Sequence, residues 1–153
     1  MLQKIKQFFN SNLIVTDEEN SQHQLQLATT ALFIEMMLQD DKQHSEEKNA
    51  VKNAIKTSLN VSSNEIDELF SLAEEELKNA TDYHQFTQLI NKNFDKFQKI
   101  KIIENLWSIA YSDSQLDDLE EHMVRKIAEL IHVPHIQFIK AKLKMQNKPG
   151  KSN

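Results

Sequence analysis

Two octets decide the fold of this chain: DDKQHSEE at residues 40–47 and DSQLDDLE at residues 113–120. Each begins with an aspartate that closes an apolar helical stretch. Each ends, seven positions later, with a glutamate at the start of another helical pattern. The octets lie 73 residues apart in a chain of 153 residues, which is the size of one domain. They therefore indicate two related halves and mark one candidate site.

Alignment of the octets also aligns the apolar positions that follow them. Val51 pairs with Val124, and after a slip of one residue the segment 59–61 pairs with 131–133. Each half is therefore predicted to contain a core helix, an acidic turn, an amphipathic helix and one further helix. We expect the halves to pack about a pseudo-twofold axis that brings the two acidic turns together.

Apolar residues recur at helical spacing through most of the chain. The pattern predicts helices over about 2–9, 22–39, 45–59, 63–77, 83–93, 96–112, 119–132 and from residue 134 onward. Ser62 and Glu65 have the spacing of a capping box, Asp95 is a predicted N-cap, and Pro134 suits the first position of a helix. The expected fold is all-α: a single-domain bundle of about seven to eight helices.

Composition supports this fold and excludes several functions. The one glycine is Gly150, so residues 1–149 contain no glycine-dependent phosphate loop, dinucleotide fingerprint or nucleophile elbow. The absence of cysteine excludes disulfides and thiolate metal sites, and suits the cytoplasm. A net charge of -5 disfavours nucleic-acid binding. The apolar run 31–38 is too short to cross a bilayer.

Three segments follow from these patterns. Residues 1–10 are a predicted N-terminal amphipathic helix, residues 22–145 the helical domain, and residues 146–153 a disordered tail. The N-terminal helix is expected to cover one end of the bundle. A weak peripheral contact with a membrane through residues 1–10 is the alternative.

The octets supply four carboxylates as predicted metal ligands: Asp40, Glu47, Asp113 and Glu120. Carboxylate oxygens of this kind bind hard cations such as Ca²⁺, Mg²⁺ or Mn²⁺. In the alternative, Glu47 and Glu120 only complement helix N-termini, with Ser45 and Asp117 as caps. The octets lack the alternating acids and central glycine of an EF-hand.

Other chemically interesting side chains have simpler interpretations. Glu35, inside the apolar run 32–38, is either a partner of the acidic site or, preferably, reaches the surface or bonds a nearby helix end. His132 and His135 make at most half of a zinc site and are expected at the surface. Trp107 and the phenylalanines are expected in the core.

The octets, together with segments 86–91, 104–107 and 121–128, resemble the tellurite-resistance TerB-like family, specifically its stand-alone bacterial branch. The resemblance implies a helical bundle whose acidic turns form a divalent-metal site at Asp40, Glu47, Asp113 and Glu120. The chain departs from the family pattern at Asp41 and Ser114, where the family has glycine. That departure affects the geometry of the turns, since glycine supplies no ligand.

The sequence therefore predicts a non-enzymatic, cytoplasmic, stress-associated protein that binds partner proteins and is tuned by a divalent cation. A purely structural interaction module without metal is the alternative. A metal-dependent hydrolase is the third hypothesis, and it lacks an evident nucleophile, histidine ligand set or phosphate cradle. The identity of the protein partners is open, as is any part in tellurite resistance itself.

Overall fold

A computed structural model describes residue 7 and residues 21–40, 45–79, 85–111 and 118–147. These ranges contain seven helices and no strand. The helices are α1 (Ser21–Asp40), α2 (Ser45–Ser58), α3 (Ser63–Asn79), α4 (Gln85–Asn93), α5 (Lys96–Tyr111), α6 (Asp118–Leu130) and α7 (His135–Gln146). The all-α prediction is confirmed. The predicted helix over 2–9, the turns at 41–44 and 112–117 and the tail after residue 147 lie outside the described ranges.

Local hydrogen bonds explain where α3 and α5 begin. The Ser62 amide donates to Glu65 Oε1 over 2.9 Å, and the Glu65 amide donates to Ser62 Oγ over 3.2 Å. Asp95 and Gln98 exchange the same pair of bonds, each 2.8 Å long. Both predicted N-caps are therefore confirmed, and each satisfies amides that a helix start leaves free.

Pro134 departs slightly from its predicted place. It precedes α7 as the N-cap, with φ −61° and ψ 150°, and the helix starts at His135. The ring fixes φ at a helical value, whereas this ψ is extended, so the first helical position falls one residue later.

α1 is the central helix, in contact with α3, α4, α5 and α6. Six of its predicted core side chains are buried: Leu27, Ala28, Ala31, Leu32, Ile34 and Met36. Thr29 and Thr30 on the same helix are also buried. Their hydroxyls donate to the carbonyls of Leu25 and Gln26, four residues earlier, over 2.7 and 2.8 Å. These bonds satisfy hydroxyl groups that would otherwise be costly to bury.

The helix pairs follow the predicted internal repeat. If α1, α2 and α3 of the first half correspond to α5, α6 and α7 of the second, equivalent helices make equivalent contacts. The α1–α3 contact corresponds to the α5–α7 contact, and the α2–α5 contact corresponds to the α6–α1 contact. The α2–α3 pair likewise matches the α6–α7 pair. This reciprocal pattern is the one that a pseudo-twofold relation between the halves requires, with α1 and α5 crossing at its centre and α4 as the connection.

The two turns that close α2 and α6 are similar in burial and different in backbone. Val61 and Val133 are buried, and Asn60 and His132 between the paired apolar positions are exposed. After α6, the amides of His132 and Val133 donate to the carbonyls of Glu129 and Ala128 over 3.2 and 2.8 Å. This is a Schellman motif, which places His132 in the left-handed region at φ 65°. Asn60 has no positive φ.

Replacing His132 with glycine is expected to raise the free energy of unfolding by about 1 kcal/mol. The left-handed conformation costs a residue with a Cβ roughly 1–2 kcal/mol, and glycine adopts it freely at some cost in chain entropy. Urea denaturation measures the gain. Asn60→Gly is the matched control, since it adds glycine where φ is negative and is expected to be neutral or destabilising. Equal stabilisation by both variants would contradict the Schellman assignment.

A few apolar and charged residues depart from the sequence prediction. Phe97 is 72% exposed, and on α7 Ile136 and Leu143 are exposed while Phe138, Ala141 and Met145 form the buried face. The helical pattern predicts that Lys52 is exposed, whereas its side chain is half-buried and pairs with Asp67 over 2.6 Å. The side chain of Val51 lies outside the described residues.

Candidate functional site

The described helices include the last residue of each acidic octet at the same helical position. Asp40 is the last residue of α1, and Glu47 and Glu120 are the third residues of α2 and α6. Asp113 and the side chains of the other three lie outside the described residues, so the metal-ligand hypothesis and the capping alternative both stay predictions. The third helical position suits either, because a carboxylate there complements the helix dipole.

The side-chain caps predicted for α2 and α6 are likewise not described by the structure. α2 begins with Ser45, which puts this residue inside the first turn and moves the N-cap position to residue 44. Asp117 precedes the first residue of α6, as a cap does. Residues 44 and 117 themselves lie outside the described ranges.

An aromatic cluster lies at the C-terminal end of α5, the helix that precedes the second octet in the sequence. Trp107 is fully buried, and its ring centroid is 5.8 Å from that of Tyr111, the last residue of α5, and 5.2 Å from that of Phe138 on α7. The core placement predicted for Trp107 is confirmed. Trp107 and Phe138 are buried and Tyr111 is partly buried, and we call these three side chains the platform. Asp113 follows Tyr111 by two positions in the sequence.

Ion pairs on α6 border this platform. Glu121 forms an ion pair with Lys142 at 3.6 Å and accepts a hydrogen bond from Arg125 over 3.5 Å. The Lys142 ammonium also lies 5.5 Å from the centre of the Trp107 ring, within cation–π range. The carboxylate of Glu121 therefore joins α6 to α7.

Two polar atoms of the platform have no hydrogen-bond partner among the described residues: Trp107 Nε1 and the Tyr111 hydroxyl, both buried. Burial raises the pKa of the Tyr111 phenol, and the negative charge of Glu121 raises it further.

Glu35 bonds a helix end, which confirms the preferred interpretation of this residue. Its carboxylate is buried and accepts from the amides of Phe86 and Thr87 over 3.0 and 3.2 Å, and from the Thr87 hydroxyl over 2.8 Å. These are the second and third residues of α4, so Glu35 caps that helix from another element. These bonds give it a role that is independent of the acidic octets.

Two further polar contacts join the start of α1 to neighbouring helices. His23 Nε2 lies 2.9 Å from Glu65 Oε2, and the Asn105 amide donates to Thr29 Oγ1 over 3.2 Å. Burial alone raises the pKa of Glu65, but the bonds from Ser62 and His23 outweigh it and leave the pKa below its usual value. Both contacts are structural.

No cluster of three potential metal ligands occurs among the described side chains, a set that excludes the four predicted ligands. His132 and His135 are exposed, as predicted, and the His135 ring stacks on Phe138 at 5.6 Å. Within the described ranges, no helix is both long enough and apolar enough to cross a membrane.

One cluster of basic side chains was not predicted from the sequence. It consists of Lys96 and Lys99 on α5 and His132 after α6, which line a common pocket. More than thirty residues separate the lysines from the histidine, and no periodicity connects them. Only the left-handed turn at His132 brings them together.

The helix order, the reciprocal packing of two halves and the placement of the acidic octets define a single-domain all-α protein built from an internal repeat. The sequence model of the family described as tellurite resistance protein TerB matches residues 26–143. The chain belongs to this family. No curated protein and no solved structure matches the chain.

Proposed function

We propose that this protein is a non-enzymatic, cytoplasmic interaction module whose two acidic octets bind one divalent cation and thereby tie its halves together. In this proposal Asp40 and Glu47 act from one half, and Asp113 and Glu120 from the other. Its protein partners act in a stress response.

The observation that supports the proposal is the equivalent helical position of the glutamates that end the two octets. Glu47 and Glu120 occupy the same position in α2 and α6, helices whose contacts with the rest of the bundle are reciprocal. A cation that requires six to eight oxygen ligands is suited by carboxylates contributed from two such turns. Membership of the TerB family is consistent with this arrangement.

Bound cation is expected to raise the melting temperature, because a ligand that binds only the folded state stabilises it by mass action. Saturation at about 100 times Kd would contribute about 2.7 kcal/mol. The experiment compares the wild type in EDTA with the wild type in millimolar Ca²⁺, Mg²⁺ and Mn²⁺. Glu120→Gln and Asp113→Asn are expected to abolish the shift, while Glu129→Gln, an exposed residue on the same helix, keeps it.

The same melts separate cation binding from capping. If the glutamates only cap helices, Glu120→Ala lowers stability in EDTA by a few tenths to about 1 kcal/mol, and no cation shifts the wild type. If they bind a cation, the variant loses the shift, and its stability in EDTA is unchanged or higher because a repelling charge is removed. If no cation shifted the melting temperature of the wild type, the cation proposal would be rejected and the hypothesis of an interaction module without metal would remain.

Trp107 offers a second measurement, since it is the only tryptophan in the chain and stacks on Tyr111, the last residue of the helix that precedes the second octet in the sequence. Its fluorescence is expected to saturate at one cation per chain with the same midpoint as the thermal shift.

For the interaction role, capture of partners from the native cell with and without cation is the direct test. Phosphoesterase activity that depends on Asp113 and on metal would instead favour the hydrolase hypothesis.

A further inference from the structure

A pocket of about 340 Å³ lies where the start of α5 meets the turn between α6 and α7. Six residues line it: Lys96, Lys99, Ile100, His132, Val133 and Pro134. Its size is at the lower end of the range for small-ligand pockets. α5 has 16 residues, and the pocket residues on it are about 17–23 Å along the helix from Tyr111, its last residue.

The lining combines cationic and apolar groups and contains no acid. Neither Lys96 nor Lys99 has a carboxylate within ion-pair distance among the described residues, unlike Lys52, Lys142 and Lys144. Burial lowers the pKa of the Lys99 ammonium, a sign that this charge is partly desolvated without a compensating anion. The nearest acid in sequence, Asp95, directs its carboxylate at the amide of Gln98.

The third polar group reaches the pocket through an unfavourable backbone conformation. His132 occupies the left-handed position of the Schellman motif, where glycine would be favoured and would provide no side chain. Histidine at this position is less stable than glycine would be, but it adds an imidazole to a pocket that two lysines also line. Ile100, Val133 and Pro134 supply the apolar part of the same surface.

We propose that this pocket binds the carboxylate of a small apolar acid, either a free acid or the C-terminal residue of a polypeptide. Lys96, Lys99 and the His132 imidazole hold the carboxylate, and the apolar body lies against Ile100, Val133 and Pro134. A bare inorganic anion would leave the apolar half of the pocket unused. None of the pocket residues is one of the four carboxylates of the proposed cation site, so the two proposals are independent.

The test uses N-acetylleucine as the probe, with N-acetylleucinamide as its uncharged counterpart, in ¹H–¹⁵N NMR titrations of the full chain without divalent cations. We expect saturable shifts of the amides of residues 96–100 and 132–133 with N-acetylleucine, and at least tenfold weaker binding of the amide. Lys99→Gln is expected to weaken binding about tenfold, the effect of one charge-assisted bond. Lys101→Gln, an exposed lysine on the same helix outside the pocket, leaves binding unchanged.

In His132→Gly, weaker binding cannot be attributed to misfolding, because this variant is expected to be more stable than the wild type. Equal binding of the acid and the amide, an equal response to inorganic phosphate, or no response at these amides would each overturn the proposal. A leucine-terminated hexapeptide then identifies the source. Tighter binding than N-acetylleucine, lost on C-terminal amidation, supports a polypeptide C-terminus, and weaker binding supports a free acid.

Discussion

Ile127→Ala is expected to lower the free energy of unfolding by about 2–5 kcal/mol, the range for removing a large aliphatic side chain from a packed core. Ile127 is completely buried, and it lies on α6 at a position that the internal repeat aligns with Ala54 on α2. Its carbonyl also accepts from the amide of Ile131 over 3.0 Å, in the turn that leads into His132. The cavity left by the substitution would therefore weaken packing between α6 and both α1 and α5.

Urea denaturation of the purified variants measures this loss, with circular dichroism as the probe. Glu129→Ala, an exposed position on the same helix, is expected to change stability by no more than about 0.5 kcal/mol. Lys52→Ala is expected to cost up to about 1 kcal/mol, because the pair with Asp67 is partly exposed to solvent. A loss at Lys52 as large as that at Ile127 would mean that the repeat alignment has the wrong register.

The features that the sequence predicted well are those set by residues close together along the chain. Helical spacing of apolar residues indicated the buried faces of α1 and α6, and the capping boxes at Ser62 and Asp95 indicated where α3 and α5 begin. Each of these signals depends on contacts within one or two turns of helix. The repeated octets extended the prediction to the relation between halves, because two similar sequences favour similar packing.

The features that the sequence did not predict depend on contacts between distant segments. A partly apolar helix such as α7 can turn several faces to the core, and only its packing on α5 leaves Ile136 exposed and Phe138 buried. The pocket beside His132 depends on a left-handed residue that no sequence pattern marked, since glycine is the usual occupant. For Asp40, Glu47, Asp113 and Glu120, the convergence of side chains stays a prediction that the cation titrations test.

Glu35 shows how a residue with an ambiguous sequence signal acquires a definite role. An acid within the apolar run 32–38 indicated that some polar partner exists, and the carboxylate in fact caps α4, about fifty residues away in sequence. Near residue 85 the sequence offers Thr81-Asp82 as a local cap, residues that lie outside the described ranges, and no local pattern points to Glu35. α4 is the helix that connects the two halves, so this buried cap joins the central helix α1 directly to the connection.

Glu35→Ala is expected to lower the free energy of unfolding by about 3–5 kcal/mol. The substitution leaves three buried donors without this acceptor, the amides of Phe86 and Thr87 and the Thr87 hydroxyl, and each unsatisfied buried donor costs about 1–3 kcal/mol before the site relaxes. Glu35→Gln keeps one acceptor oxygen and is expected to lose about half as much. Thr87→Val removes only the hydroxyl bond and is expected to cost about 1–2 kcal/mol.

Hydrogen exchange distinguishes the loss of this cap from a general loss of packing. In Glu35→Ala, the amides of Phe86 and Thr87 are expected to exchange faster than global unfolding accounts for, because their acceptor is gone. Ile127→Ala lowers protection of the same amides only in step with global stability. Glu68→Ala, an exposed acid on α3, serves as the charge control and is expected to leave both quantities nearly unchanged. If Glu35→Ala accelerated exchange uniformly across the core, with no excess at α4, Glu35 would be acting through packing and not as the cap of that helix.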